Sequence, residues 1–84
     1  MKTHHQKLVS SILEQYTTVN EDGETVISDD YPANHKITLA GVKHTLRQWA
    51  YYAYYGYFPK GRIRVASTNR KLLEPSYMYS KGEF

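Results

Sequence analysis

Apolar residues recur at helical spacing near the start of the chain and predict a first helix. Leu8, Ile12 and Leu13 fall on one side of a helix that runs from about residue 3 to residue 14. Thr3 stands directly before this stretch, where a threonine side chain can cap the first backbone N–H groups. The pattern therefore predicts a short amphipathic helix with Thr3 as its N-cap.

A longer apolar stripe predicts a second helix from about residue 39 to residue 57. Its members form the expected core face and follow one another mostly at helical steps: Val42, Leu46, Trp49, Ala50, Ala53 and Tyr57. Thr38 is the expected N-cap of this helix, and Gly56 followed by Pro59 marks its end. Gly41 lowers the helix propensity near the start without changing the prediction.

Two further segments favour β-structure and predict two hairpins. In residues 16–28, two β-favouring runs flank an Asp-Gly turn, in which Gly23 supplies a positive φ. In residues 62–73, charged and apolar residues alternate, and the chain could then return as a second strand. Pro75 stops regular structure, so residues 76–84 are expected to be either an ordered edge or a loose tail.

The order of these elements predicts an α+β fold in a single domain spanning residues 1–84. Two helices packed on small antiparallel hairpins are the usual way for such elements to share one core. A winged-helix arrangement is the variant considered, with residues 39–57 as the presented helix and residues 62–73 as the wing. That arrangement normally needs a third helix, and residues 31–34 are too short to supply one.

Composition narrows the class of protein. The chain has 84 residues and no cysteine, which excludes a disulfide framework, a thiolate zinc site and a cysteine nucleophile. No apolar run approaches the roughly 18 residues that a membrane-spanning helix needs, and the first residues do not resemble a secretion signal. We therefore expect a small globular protein in the cytoplasm, without a membrane partner.

Charge is divided unevenly along the chain. Two lysines against six carboxylates give residues 1–34 a net charge of −4, whereas nine lysines and arginines against two glutamates give residues 35–84 a net charge of +7. A positive surface attracts polyanions and accelerates encounter with them. The alternatives are that the two halves pair with each other across the fold, or that the charges are solvated.

Polar residues on the second helix and the second hairpin form a candidate nucleic-acid surface. Lysine and arginine neutralise phosphates, arginine and glutamine can read base edges, and tyrosine can stack on unpaired bases. The candidate contacts with nucleic acid or another partner are Lys43, Arg47, Gln48, Tyr51, Tyr54, Tyr55, Arg62, Arg64, Arg70 and Lys71. The alternative is a solvated helix face whose arginine stems cover a thin core.

Five of the nine tyrosines fall within residues 51–57, next to Phe58. Aromatic residues packed this densely on a helix point in every direction, so some must be exposed or must face a partner. Tyrosine supplies rigid contact area at low entropic cost, which favours an interface with a protein, a nucleic acid or a second copy of the chain. The structural alternative is that the core recruits Tyr52 and Tyr57, with their hydroxyls in water.

Histidines and carboxylates do not form a catalytic or metal-binding pattern. His4 and His5 are adjacent, His35 and His44 are isolated, and no carboxylate joins them at ligand spacing. The acidic residues within positions 21–30 do not match a calcium loop and suit the turn of a hairpin. No nucleophile elbow or phosphate-binding glycine loop is present, so we expect a protein that is not an enzyme and holds no metal or cofactor.

Two functions from different classes remain. The first is a small regulatory protein that binds DNA or RNA through the basic helix and the following basic hairpin. The second is an inhibitor or adaptor, of the compact kind found in phage gene sets, that grips a host protein through residues 51–58, where a homodimer could also form. The +7 charge of residues 35–84 favours the first, and the high density of tyrosine relative to lysine favours the second.

Overall fold

The computed structural model describes residues 3–59, 61 and 63–80, and within them the chain forms two α-helices and three two-stranded antiparallel sheets. The helices are α1 (His4–Leu13) and α2 (Leu46–Tyr55). The sheets pair β1 (Thr17–Val19) with β2 (Thr25–Ile27), β3 (Lys36–Leu39) with β4 (Val42–Thr45), and β5 (Ile63–Val65) with β6 (Met78–Ser80). Short 3-10 helices at Glu14–Tyr16 and Pro75–Tyr77 lead into β1 and β6. The predicted α+β class, with two helices and small antiparallel sheets, is confirmed.

The first helix begins at its predicted N-cap. Thr3 Oγ1 accepts a hydrogen bond from the Gln6 backbone N–H at 3.2 Å, and Gln6 Oε1 accepts one from the Thr3 N–H at 2.8 Å, which satisfies two helix-terminal donors reciprocally. Gln6 is buried, and its Nε2 donates to the Ala53 carbonyl oxygen of α2 at 3.4 Å. Together with buried Val9 and Leu13, this contact packs α1 against α2.

The start of the predicted second helix is wrong, because residues 39–45 belong to a hairpin. Ala40 and Gly41 join β3 to β4 with φ angles of 51° and 79°, and a tight two-residue turn between antiparallel strands favours such positive angles. Ile37 of β3 is buried, and its carbonyl oxygen accepts a hydrogen bond from the Trp49 indole nitrogen at 3.2 Å. Residues 39–45 therefore form part of a hairpin that packs against α2, instead of the first turns of the predicted helix.

The second helix begins only after Thr45, which takes the N-cap position predicted for Thr38. Thr45 Oγ1 accepts a hydrogen bond from the Gln48 backbone N–H at 3.1 Å, and Gln48 Oε1 accepts one from the Thr45 N–H at 2.9 Å. Gly56 ends the helix as predicted, as a C-cap with φ of 86°.

The core face of α2 follows the predicted stripe where the chain is helical. Four of its residues are buried: Leu46, Trp49, Ala50 and Ala53. Val42 and Tyr57 are about half exposed, because Val42 lies in β4 and Tyr57 follows the C-cap. The stripe is therefore correct for the two central turns and wrong at both ends.

A second side of α2 is covered by the C-terminal part of the chain. Tyr51, which was expected on an outer face, is only 4% exposed and shares a core cluster with Ile63 of β5 and with Leu73 and Met78. Wrapping one helix from two sides lets a small domain bury more apolar area. Most side chains of α2 are therefore buried or half-buried, and residues 3–59, 61 and 63–80 contain no third α-helix, so the winged-helix variant gains no support.

The first predicted hairpin is confirmed and the second is wrong. Within residues 16–28, β1 pairs with β2 and Gly23 has φ of 77°. Within residues 62–73, β5 pairs instead with β6, while the return segment runs beside β2, where Leu73 N donates to the Thr25 carbonyl at 2.9 Å. Burial of consecutive Leu72 and Leu73 holds that segment in the core. In the C-terminal region expected to be an edge or a tail, residues 78–80 form β6 and residues 81–84 lie outside the described part.

None of the helices in the described residues has the length and apolar character required to span a lipid bilayer.

Candidate functional site

Three arginines line one surface cleft of about 240 Å³ beside the start of α2 and the β5–β6 sheet. We call it the arginine cleft, and its lining residues are Arg47, Ile63, Arg64, Val65, Ser67, Asn69, Arg70 and Tyr79. None of these described lining residues is acidic. Positive charge is therefore concentrated at the cleft, and no carboxylate among its described lining residues neutralises it.

Arg47 lies in the first turn of α2 and is the most constrained of the three arginines. Its Nη2 donates to the Arg70 carbonyl oxygen at 2.7 Å, while its Nε is buried and meets no hydrogen-bond partner among the described residues. Desolvation by burial lowers the pKa of the Arg47 guanidinium from its usual value. A partly desolvated guanidinium is stabilised when an anion oxygen approaches its accessible N–H groups, because the anion compensates for the lost hydration of the charge.

Arg64 and Tyr79 reach the cleft from neighbouring strands. The strand register places them directly opposite each other, between the pairs Ile63–Ser80 and Val65–Met78. Because side chains alternate along a strand, they share the face opposite to buried Ile63 and Met78. Directly opposed residues have Cβ atoms roughly 5 Å apart, so a cationic side chain and an exposed aromatic ring stand side by side.

The loop before Arg70 is held by its own polar side chains. Ser67 Oγ accepts a hydrogen bond from the Asn69 backbone N–H at 3.1 Å, and Asn69 Oδ1 accepts one from the Lys71 N–H at 3.0 Å. Such local side-chain bonds stabilise a turn conformation. They fix the backbone at Arg70, whose carbonyl in turn positions Arg47.

A second, larger cleft of about 550 Å³ adjoins the arginine cleft and shares Arg47 and Ile63 with it. Its other described lining residues are Ala33, Asn34, Thr45, Gln48 and Gly61, and none of them is acidic. The Arg47 side chain therefore stands in a wall common to both clefts.

Two further basic candidates do not line the arginine cleft. Lys43 lies on β4 and is exposed, and it lines neither cleft. Lys71 Nζ stands 3.8 Å from Asp29 Oδ1 at the surface. Arg62 lies outside the described residues.

Two predicted contact residues have structural roles instead. Gln48 uses its side-chain oxygen in the N-cap of α2, where it accepts from Thr45 and also lies 3.3 Å from His44 Nδ1. Tyr51 is buried in the core cluster that includes Ile63 and Met78. The Tyr51 ring is therefore not accessible for base recognition, whereas Gln48 also lines the second cleft.

Tyr54, Tyr55 and Tyr57 form a second surface, which we call the tyrosine patch. All three are exposed, and the Tyr55 ring centroid lies 4.8 Å from that of Tyr54 and 6.4 Å from that of Tyr57. The patch rests on buried Tyr51, and the Tyr55 hydroxyl donates to the Pro75 carbonyl oxygen at 3.2 Å. The aromatic run therefore splits into buried and exposed members, as a dense run on one helix must.

The proposed recruitment of Tyr52 and Tyr57 by the core holds only for Tyr52. Its ring is half-buried and stacks on Phe58 with centroids 4.8 Å apart, and Phe58 also packs edge-on to Trp49. Tyr57 instead belongs to the exposed patch.

Close ion pairing between the acidic and basic halves is sparse in the part of the chain that the structure describes. Among the described residues the structure records one ion pair, between Lys71 and Asp29. Glu74 accepts a hydrogen bond from the Thr25 backbone N–H at 2.7 Å, so this carboxylate is held at the β2 side of the fold. No ion pair among the described residues involves an arginine of the cleft.

Tyr79 is the site residue that sequence reasoning missed. The signal was the sequence Met78-Tyr79-Ser80, in which an apolar residue precedes an aromatic and a polar one, as in a strand with one buried face. The preceding proline obscured this signal by marking the end of regular structure.

No group of three or more histidines, aspartates or glutamates in the described part of the chain is placed to hold a metal ion. Comparisons with protein-family models, curated proteins and solved structures found no match. Function is therefore inferred from the chemistry of the arginine cleft and the tyrosine patch.

Proposed function

We propose that the protein is a non-enzymatic regulator that binds nucleic acid, with the arginine cleft as its phosphate-binding site. The observation that carries this proposal is the convergence of Arg47, Arg64 and Arg70 on one cleft with no carboxylate among its described lining residues. Arginine presents a planar fork of N–H donors that matches the oxygens of a phosphate group. Nucleic acid offers a series of such groups, and neutralising them releases bound counterions.

The support differs among the three arginines. Arg47 is pre-positioned by its hydrogen bond to the Arg70 carbonyl, and its guanidinium is partly desolvated. Arg64 and Arg70 are exposed and can adjust to a flexible backbone. One fixed and two adjustable cations suit a ligand whose phosphates are regularly spaced but not rigid.

Salt-dependent binding tests this proposal. Fluorescence anisotropy with labelled single-stranded and duplex DNA and RNA should show binding at about 50 mM salt that weakens steeply as salt rises. Replacing Arg64 and Arg70 together by alanine should weaken binding and reduce the slope of log affinity against log salt by about 1.5, because each lost phosphate contact removes roughly 0.7–0.9. Both positions are exposed, so the folded state should persist.

The matched control removes the same charge elsewhere. Lys7 of α1 and Lys36 of β3 are exposed and line neither cleft. Lys7→Ala combined with Lys36→Ala should leave affinity nearly unchanged. An equal loss in both double variants would assign binding to net charge alone, and absence of binding to every probe at about 50 mM salt would reject the proposal.

A second candidate function is supported by the tyrosine patch. Three contiguous exposed rings are typical of a protein interface, and an inhibitor or adaptor that grips a protein would use them. A pull-down from host lysate should then capture one partner with the wild-type chain and with the Arg64→Ala, Arg70→Ala variant, but not with Tyr54→Ala combined with Tyr57→Ala. Capture that depends on the arginines and not on the tyrosines would contradict this candidate.

A further inference from the structure

We infer that the arginine cleft takes single-stranded nucleic acid, with phosphates on Arg47, Arg64 and Arg70 and an unpaired base stacked on Tyr79. The inference rests on the proposed function and specifies the form of nucleic acid. It adds a base-contacting residue to a site otherwise made of cations.

The burial of α2 argues against recognition of a duplex. A helix reads duplex DNA by placing an exposed face in the major groove. From Leu46 to Ala53 no side chain of α2 is fully exposed, because α1 covers one side of the helix and the C-terminal segment covers another. Its first exposed residue is Tyr54, in the last turn.

The β5–β6 sheet does not replace the helix as a groove reader. A two-stranded ribbon can enter a major groove, but each of these strands has three residues. The two side chains known to occupy the outer face are Arg64 and Tyr79. A phenol ring in the middle of that face is suited to lie against a base, and a base is available for stacking on its flat face only when it is unpaired.

Tyr79 has the exposure and the surroundings of a stacking platform. It is 43% exposed, stands opposite Arg64 and lines the same cleft as all three arginines. Stacking on an aromatic side chain tolerates any base, because every base has a π face. A phosphate on Arg64 would therefore place the adjoining base within reach of the neighbouring ring.

The polar side chains around Arg70 are engaged within the loop, whereas the three arginines supply hydrogen-bond donors to the cleft. The side-chain oxygens of Ser67 and Asn69 already accept backbone hydrogen bonds within the loop. The guanidinium groups favour an anionic ligand, and the Tyr79 ring favours a planar group that can stack on it. A single nucleic-acid strand offers both along its length, as phosphates and as unpaired bases.

The decisive probes are three oligonucleotides of about 12 nucleotides: a mixed-sequence single strand, its abasic analogue with the same phosphates, and the duplex of the same sequence. Competition anisotropy at about 50 mM salt should rank the single strand above both the abasic strand and the duplex. Tyr79→Leu should lower affinity for the single strand by about 5- to 150-fold. The same substitution should leave affinity for the abasic strand unchanged.

Tyr77→Leu is the matched control, because Tyr77 is 44% exposed and does not line the arginine cleft. It should leave affinity for all three probes unchanged. The inference is overturned, while nucleic-acid binding stands, if the duplex binds as tightly as the single strand or if Tyr79→Leu leaves single-strand affinity intact. Failure of all three probes to bind overturns the proposed function and this inference together.

Discussion

Gly56 ends α2 in the left-handed region and lies directly against α1. A Cβ atom at this position would meet the Gln6 amide nitrogen at 3.2 Å, in addition to the strain of φ at 86°. Gln6 has little freedom to withdraw, because its amide bonds both Thr3 and Ala53. The C-cap glycine is therefore required by its backbone angle and by its contact with the neighbouring helix.

Gly56→Ala should lower the free energy of unfolding by about 1–3 kcal/mol. Gly23→Ala is the control, because Gly23 has a similar φ of 77° with nothing within 4 Å of the added carbon. It should cost about 1 kcal/mol, and the difference between the two isolates the Gln6 contact. Urea denaturation followed by the fluorescence of buried Trp49 measures both losses, and equal losses would show that Gln6 moves without cost.

Thr38, the predicted N-cap of α2, and Thr45, the observed N-cap, provide a second paired test. Thr45 accepts the hydrogen bond of the Gln48 N–H, whereas Thr38 lies exposed in β3. Thr45→Ala should therefore lower stability by about 1 kcal/mol, and Thr38→Ala by a few tenths. A larger loss at Thr38, measured by the same denaturation, would contradict the assigned start of the helix.

At the level of elements, the β3–β4 hairpin shows why a local pattern can predict the wrong structure. Val42 and Leu46 lie four residues apart, which fits a helix, while Ile37 and Leu39 alternate as in a strand. The turn at Ala40-Gly41 lacks the Asn-Gly or Asp-Gly signature of a hairpin. The hairpin packs against Trp49, and this contact favours the strand period over the helix period. It lies outside the local sequence, so the local pattern could not reveal it.

The same turn offers a stabilising substitution. Ala40 adopts φ of 51° without the local hydrogen bonding that lets asparagine tolerate this region. Ala40→Asn should therefore raise the free energy of unfolding by about 0.5–1 kcal/mol. Ala40→Val should lower it, because a β-branched residue is an outlier at positive φ. Urea midpoints that move in the same direction for both variants would argue against a positive φ at this turn.

At the level of the whole molecule, the sequence predicted the components of the site better than their arrangement. Arg47, Arg64 and Arg70 were predicted as contacts because they lie on the basic helix and the basic hairpin expected within residues 35–84. Their assembly into a cleft depends on β5 pairing with β6 across a loop that also returns beside β2. A local hairpin in residues 62–73 closes a shorter loop than the β5–β6 pairing does. Because a shorter loop costs less chain entropy to close, the local hairpin was the simpler prediction. Ile63 of β5 and Met78 of β6 share the core cluster with Tyr51, so its burial is also a feature of the long-range fold.

The C-terminal strand should therefore be required for the stability of the entire domain. Met78 is 6% exposed, pairs with Val65 and shares the core cluster with Tyr51 and Ile63. Met78→Ala should lower the free energy of unfolding by about 2–5 kcal/mol, a large part of the roughly 4–13 kcal/mol expected for a domain of this size.

The Met78→Ala substitution should destabilise the whole domain and not only the β5–β6 sheet. Urea transitions followed by Trp49 fluorescence and by far-ultraviolet circular dichroism should shift together, because a small two-state domain loses its core in one step. Tyr77→Ala, at an exposed position beside the same strand, should change stability by less than about 0.5 kcal/mol. If Met78→Ala instead leaves the Trp49 transition in place, β6 does not belong to the cooperative core, and the arginine cleft built on it would be only locally ordered.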